Sequence, residues 1–289
     1  LISKGKYFQL HFIILLWGFT PVLGKLISLS ALDLVFWRLI LSIVSLACYI
    51  FYKKVALNVS KIEFLEILFM GLIVGAHWYF FYHAIKVSNV SIAMAGFSTI
   101  TLFASFIQPI IMKKKFYWGD ALYGIFILIG LSIILSFEGG ATLGVIYGIL
   151  AAFTGAFFSV YNGKLIEKHN SSYITIIEFV GALLFIIVVI LLQGNGNFEL
   201  QLVSQSDWIW LIILSVICTT LAFTLSVEIM KVFSPFTVII TNNLEPIYGV
   251  FFSILLFGES EIMSSKFYLG ALIILVCVFS YPFLKKTKN

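Results

Sequence analysis

Runs of about twenty uncharged, mostly apolar residues recur along this chain between short polar breaks, and this spacing identifies its solvent before anything else. At a rise of about 1.5 Å per residue, a helix of that length crosses a hydrocarbon layer of about 30 Å. Composition agrees: 61% of the 289 residues are hydrophobic and 11% are charged. Mean hydropathy is +1.10, and a soluble chain would carry about twice that charged fraction. The apolar excess is therefore expected to face lipid.

Ten spans are expected, at 7–28, 32–52, 64–85, 89–112, 117–137, 143–163, 173–192, 207–230, 234–257 and 267–284. The first run leads into nine more, without a small-residue cleavage site, so a removable signal peptide is not expected. Lysines orient the chain, because basic loops are retained on the cytoplasmic side. With the N-terminus inside, the cytoplasmic segments hold Lys4, Lys6, Lys53, Lys54, Lys61, Lys113, Lys114, Lys115, Lys164, Lys168, Lys231, Lys285, Lys286 and Lys288, against Lys86 and Lys266 opposite. That asymmetry implies an even number of spans, both termini cytoplasmic, in the plasma membrane, which for a bacterium is the inner membrane. The net charge of +5 lies in these headgroup-facing clusters, which excludes a nucleic-acid partner. Cys48, Cys218 and Cys277 each fall within a span, without metal-like spacing, and read as packing residues.

Five spans per half is an odd number, so two halves of one fold would sit in the membrane in opposite orientations. Gly24-Lys25-Leu26 is echoed by Gly163-Lys164-Leu165, and Lys86-Val87 by Lys231-Val232. The expected architecture is all-α integral membrane, with ten transmembrane helices as two inverted five-helix repeats, residues 1–141 and 142–289, around a central cavity.

Trp17-Gly18 with Lys25, Arg38, His83-Ala84-Ile85-Lys86, Asn243-Leu244-Glu245-Pro246 and Gly258-Glu259 occur in that order on this plan. In them the chain resembles the EamA-type members of the drug/metabolite transporter superfamily. The resemblance implies an inverted five-plus-five bundle with spans 1 to 4 and 6 to 9 around the cavity and spans 5 and 10 peripheral. It also implies export. Thr101 stands where the repeat places the counterpart of Pro246, which leaves open whether the fourth span kinks like the ninth.

Ionisable groups inside a bilayer cost about 2.5–3.5 kcal/mol each on insertion scales, so depth ranks the candidates. Glu245 lies about 16 Å from either end of its span at about 1.5 Å per residue and cannot reach an interface. Thr241, Asn242, Glu245, Tyr248, Gly249 and Phe252 share a helical face by i, i+3, i+4 spacing and read as a cavity wall. Pro246 lacks the N–H that would bond the Asn242 carbonyl, leaving that carbonyl beside the carboxyl. His77 is mid-span, near Tyr82, and is either a site residue or a group bonded to a neighbouring helix; a pairing with Glu245 would serve either reading. Arg38 and Lys25 are close enough to one end to snorkel outward, with Arg38 read as a gating or packing residue. Glu178 reads as a cavity or inner-gate group and Glu228 as an interfacial one. The inverted repeat sets Trp17 and Asn162 across the cavity from each other. Gly71/Gly75 and Gly144/Gly148 permit close helix contact.

The expected function is secondary active transport of small organic solutes, such as amino acids, amines or drug-like compounds, by alternating access. The expected partners are the solute, the lipid bilayer and a coupling proton, with oligomeric state left open. No G-x-x-x-x-G-K-[ST] loop occurs, and no cofactor or metal is expected. An intramembrane lipid-modifying enzyme would need clustered catalytic groups, but His11, His77, His83 and His169 are scattered. A non-transporting membrane receptor would need a docking domain for which these loops leave no room.

Overall fold

Inside hydrocarbon a backbone N–H or C=O finds no water, so a chain of this composition must satisfy those groups within its own segments. In the computed structural model, which describes residues 2–55, 59–113, 115, 126–134, 142–194 and 196–286, every regular element is helical. The first span is α1 (Lys4–Gly18) and α2 (Thr20–Leu26), the second α3 (Ala31–Lys53), the third α4 (Lys61–Val87), and the fourth α5 (Val90–Phe97) and α6 (Ile100–Ile111). Of the fifth span, expected over 117–137, residues 126–134 are helical (α7), and the rest of that expectation lies outside the described residues. The sixth and seventh spans are α8 (Thr142–Leu165) and α9 (Ser171–Gln193). The eighth runs from α10 (Gln205–Ile212) through a π-helical segment, Ile213–Leu221, into α11 (Ala222–Ile229). The ninth is α12 (Pro235–Thr241) and α13 (Leu244–Phe257), ending in a 3₁₀ turn at Gly258–Glu261, and the tenth is α14 (Ser265–Lys286). Among the described residues eight helices are long and apolar enough to cross a membrane, which makes this a multi-pass membrane protein.

Outside the fifth span the observed ends fall within a few residues of those read from the sequence, but four spans are not the straight helices expected. In the first, Pro21 has no N–H for the carbonyl of Trp17, which instead accepts the Thr20 hydroxyl at 2.8 Å, and the helix restarts at Thr20. In the fourth, the hydroxyls of Ser98 and Thr99 bond back to the carbonyls of Met94 (2.9 Å) and Gly96 (2.8 Å) and break the helix without a proline. In the ninth, the Asn243 side chain donates to the carbonyl of Ile240 at 3.1 Å, serving a group left open where α12 stops. The fourth and ninth spans therefore both break at matching places. The breaks are joined by a hydrogen bond from Asn243 Nδ2 to Thr101 Oγ1. Pro109, the proline of the fourth span, lies within α6 and away from its break.

Small residues let the backbones meet. Gly71 and Gly75 on α4 press against Gly181 and Ala182 on α9, while Gly148 on α8 meets Gly96 on α5. The third span is thereby clamped between the sixth and seventh, and its mid-length residues are held where the three broken spans converge.

Candidate functional site

The breaks surround a cavity of about 50 Å³ lined by Trp17, Thr20, Arg38, His77, Trp78, Phe81, Tyr82, Phe97, Ile100, Gly155, Phe158, Ser159, Phe223, Asn242 and Glu245. Glu245 lies about 15 Å from the start of α12 at about 1.5 Å per residue, which is mid-depth in its span. The space admits water-sized molecules and is too small for an organic solute.

Arg38 does not snorkel. It is 3% exposed, because its point on α3 faces inward, and the guanidinium bonds the third and eighth spans there. Nε donates to Thr219 Oγ1 at 2.6 Å, Nη1 donates to the Tyr82 hydroxyl at 2.9 Å, and the plane lies 4.1 Å from the Trp78 ring centroid. Thr219 in turn donates to the carbonyl of Leu214, five residues back, at 2.6 Å. The π segment thus turns an acceptor onto Arg38, a common use of such segments at functional sites. These contacts leave Nη2 for the cavity.

Glu245 is 5% exposed and faces the same cavity. Among the described residues no ion pair within 4.0 Å joins it to Arg38. A carboxyl and a guanidinium therefore line one cavity with no ion pair between them. The Asn242 carbonyl is not free, as the sequence had implied: it accepts the Glu245 N–H at 2.8 Å, closing a tight turn across the break. What Asn242 does offer the cavity is its side-chain Oδ1, which is buried without a hydrogen-bond partner.

His77 does not pair with Glu245. Its Nδ1 bonds the carbonyl of Ala151 on α8 at 2.8 Å, a close approach that Gly155 allows, since a Cβ there would lie 3.1 Å from the imidazole. The ring, packed on Phe81, Phe97 and Phe158, still lines the cavity.

The structure thus brings Trp17, Arg38, His77, Tyr82, Asn242 and Glu245 together, and leaves out Tyr248, Asn162 and Glu178. Tyr248 and its neighbours are covered by the redirected first span: Tyr248 lies over Gly18, Gly249 against Pro21, and Phe252 stacks on Phe19 at 4.1 Å. Trp17 and Asn162 are not opposed across the cavity. Asn162 faces α9, where its amide meets Glu178 at 3.2 Å.

Sequence reasoning missed the aromatic wall of Phe81, Phe97, Phe158 and Phe223, because thirty phenylalanines carry no positional signal. It also missed Thr20, although Thr-Pro within an apolar run marks a break. A third omission is Glu261, 0% exposed, which accepts the N–H groups of Val90 (3.1 Å) and Ser91 (3.0 Å) and pairs with Lys25 at 2.8 Å. One carboxylate there ties the first and ninth spans to the N-terminus of the fourth, with Lys25 held in place and only partly exposed. Nearby, Asp207 accepts the backbone N–H of Ser28 at 3.1 Å and Lys86 donates to the carbonyl of Ile27. These bonds close the lysine-poor end of the bundle. At the lysine-rich end, Glu66 accepts the Tyr161 hydroxyl and pairs with Lys164 at 3.5 Å, while Glu228 pairs with Lys231 at 3.0 Å.

Among the described residues no group of three or more His, Cys, Asp or Glu side chains is arranged to hold a metal ion.

The sequence profile of the EamA-like transporter family matches this chain twice, over residues 7–136 and 142–281. No curated protein matches it. A solved structure, described only as the crystal structure of a protein, aligns over 100% of this chain and 100% of its own at a TM-score of 0.70 and 11% sequence identity, a likeness of fold alone.

Proposed function

The chain belongs to the EamA-like transporter family, and on that premise we propose that it is a secondary transporter of small zwitterionic solutes, α-amino acids above all, working by alternating access. The observation that carries this reading is the unpaired couple of Glu245 and Arg38 on one mid-span cavity. An ammonium group fits the carboxyl, a carboxylate fits the free edge of the guanidinium, and the aromatic wall of Trp17, Trp78, Phe158 and Phe223 takes the side chain.

Because the cavity is small here, the solute enters only when one end opens. The breaks at Thr20, Ser98–Thr99 and Asn242–Asn243 are where half-spans can swing without disturbing the α4–α9 clamp. The lysine-poor end is closed by Glu261, and opening it means parting Glu261 from Lys25 or from α5. In this account the bundle is two inverted five-span repeats in the plasma membrane, 1–141 and 142–289, with both termini cytoplasmic, and transport runs outward. Glu245 takes a proton when the solute leaves, which couples flux to the proton gradient.

Each charged hydrogen bond to the solute contributes about 1.5–3 kcal/mol, or about tenfold to a hundredfold in affinity. The test is a thermal-stability panel on purified protein, with amino acids, their carboxamides and their N-acetyl derivatives as probes. Zwitterions should stabilise the protein. Carboxamides should lose about tenfold or more through Arg38, and N-acetyl compounds should lose as much through Glu245. Glu245→Gln should abolish the penalty on N-acetylation alone. Equal binding of all three classes would refute the assignment.

A further inference from the structure

Glu178 is a fully buried carboxyl that the transport reading leaves without a task. It sits about two turns into α9 at 0% exposure and does not line the cavity. Its backbone is the surface on which Gly71 of α4 rests, one of the close backbone contacts of the bundle.

Among the described residues its side chain has one hydrogen bond, from Asn162 Nδ2 to Oε2 at 3.2 Å. Two oxygens of this couple are left over, Glu178 Oε1 and Asn162 Oδ1, both buried and both without a partner. Two orphaned acceptors on adjoining groups have a simple common remedy. A carboxylic acid and a primary amide form a ring of two hydrogen bonds, in which the amide N–H donates to one carboxyl oxygen and the acid O–H donates to the amide oxygen. A single proton on Oε1 therefore supplies the donor that Asn162 Oδ1 lacks and removes an uncompensated charge from a dry site.

Among the described residues no cation is paired with Glu178 to do this instead. On α4, Glu66 is engaged by Tyr161 and Lys164, Glu63 by Ser60 and His169, and His77 by the Ala151 carbonyl. On α3, Arg38 is committed to Thr219 and Tyr82, and on α11, Glu228 is committed to Lys231. Among the described residues none of these meets Glu178.

The couple also has a direction. Ser159, one helical turn before Asn162 on α8, lines the cavity, and α8 ends at Leu165 beside the Lys164–Glu66 pair. Along α8 the order is cavity, Ser159, Asn162 with Glu178, and then the lysine-rich end.

We propose that Glu178 and Asn162 form a second proton-binding site, an acid–amide pair that holds a proton between the lysine-rich end and the central cavity and exchanges it with Glu245. In the exchange the O–H bond at Glu178 Oε1 breaks, an O–H bond forms on the Glu245 carboxylate, and Glu178 is reprotonated from the lysine-rich end. The existence of the site rests on its own geometry. Its use in coupling rests on the transport reading above.

The test is infrared difference spectroscopy of the purified full chain in lipid, in the carbonyl-stretch region of protonated carboxyl groups. Wild type minus Glu178→Gln should show one protonated-carboxyl band that shifts in D2O and changes frequency in Asn162→Leu. Where Glu178→Gln does not fold, Glu178→Asp serves, because it moves the same band. Absence of the band, or a band that never exchanges with D2O, overturns the proposal. Solute binding in the amino-acid panel is read separately: its failure with the band intact sinks the zwitterion reading, and its success without the band sinks only this one.

Discussion

Replacing Arg38 by lysine keeps the positive charge and removes the planar fork, which makes it a clean measure of whether this residue is buried or snorkels. The guanidinium holds Thr219 at 2.6 Å, Tyr82 at 2.9 Å and the face of Trp78 at 4.1 Å. An ammonium group at the end of a flexible stem can keep one hydroxyl partner and lies poorly over the indole. The loss is one charged hydrogen bond, about 1.5–3 kcal/mol, plus part of a stacking contribution of about 0.5–2 kcal/mol. We expect Arg38→Lys to destabilise the protein by about 2–4 kcal/mol in reversible unfolding from mixed micelles. Crossing it with Tyr82→Phe should give a coupling of at least about 0.5 kcal/mol, as for residues in direct contact. An arginine reaching to the interface would give a change within about 0.5 kcal/mol and an additive cycle. That pair of results would refute the inward placement of Arg38 and the cavity electrostatics built on it.

Gly75→Ala places a Cβ 2.8 Å from the Ala182 carbonyl oxygen and 2.9 Å from its Cα, both backbone atoms, so the third and seventh spans must part. Overpacking of this kind costs about 1–3 kcal/mol, whereas Gly5→Ala, where nothing lies nearer than 3.9 Å, should leave the unfolding transition unchanged or raise it. Glu261→Gln should lower stability by about 1–3 kcal/mol through lost charged hydrogen bonds, and Glu259→Gln, on the exposed neighbour, should not move the transition. The same unfolding measurement checks both, and equal effects of the two glutamine variants would show that the Lys25 pair does not close that end.

Spans and their ends were legible because hydrocarbon imposes a length and an apolar run declares it. Six of the residues picked for depth and chemistry do converge, since an ionisable or aromatic group at mid-span has few places to go. The failures share one cause. Helical spacing assigns a face only while the helix continues, and the face read through Thr241, Asn242, Glu245 and Tyr248 crosses the break at Asn242–Asn243. Pro21 and Pro246 announce their breaks in sequence, whereas Ser98 and Thr99 break the fourth span by bonding back to the helix, which hydroxyl residues do in some contexts and not in others. Arg38 stays open between gating and packing in the sequence because distance from the span end is legible there and azimuth around α3 is not. For Glu261 the neighbouring Gly258-Glu259 drew attention one step too early: the 3₁₀ turn brings the later carboxylate, not the earlier one, under the first turn of α5.

The central claim is that Glu245 and Arg38 share a mid-span cavity that opens to solute. Ser159→Cys in a cysteine-free background puts a thiol on that wall, and its labelling by a small membrane-impermeant reagent in vesicles tests the claim directly. The account predicts labelling, with protection by the tightest-binding zwitterion of the panel. A thiol that reacts only after denaturation would contradict it.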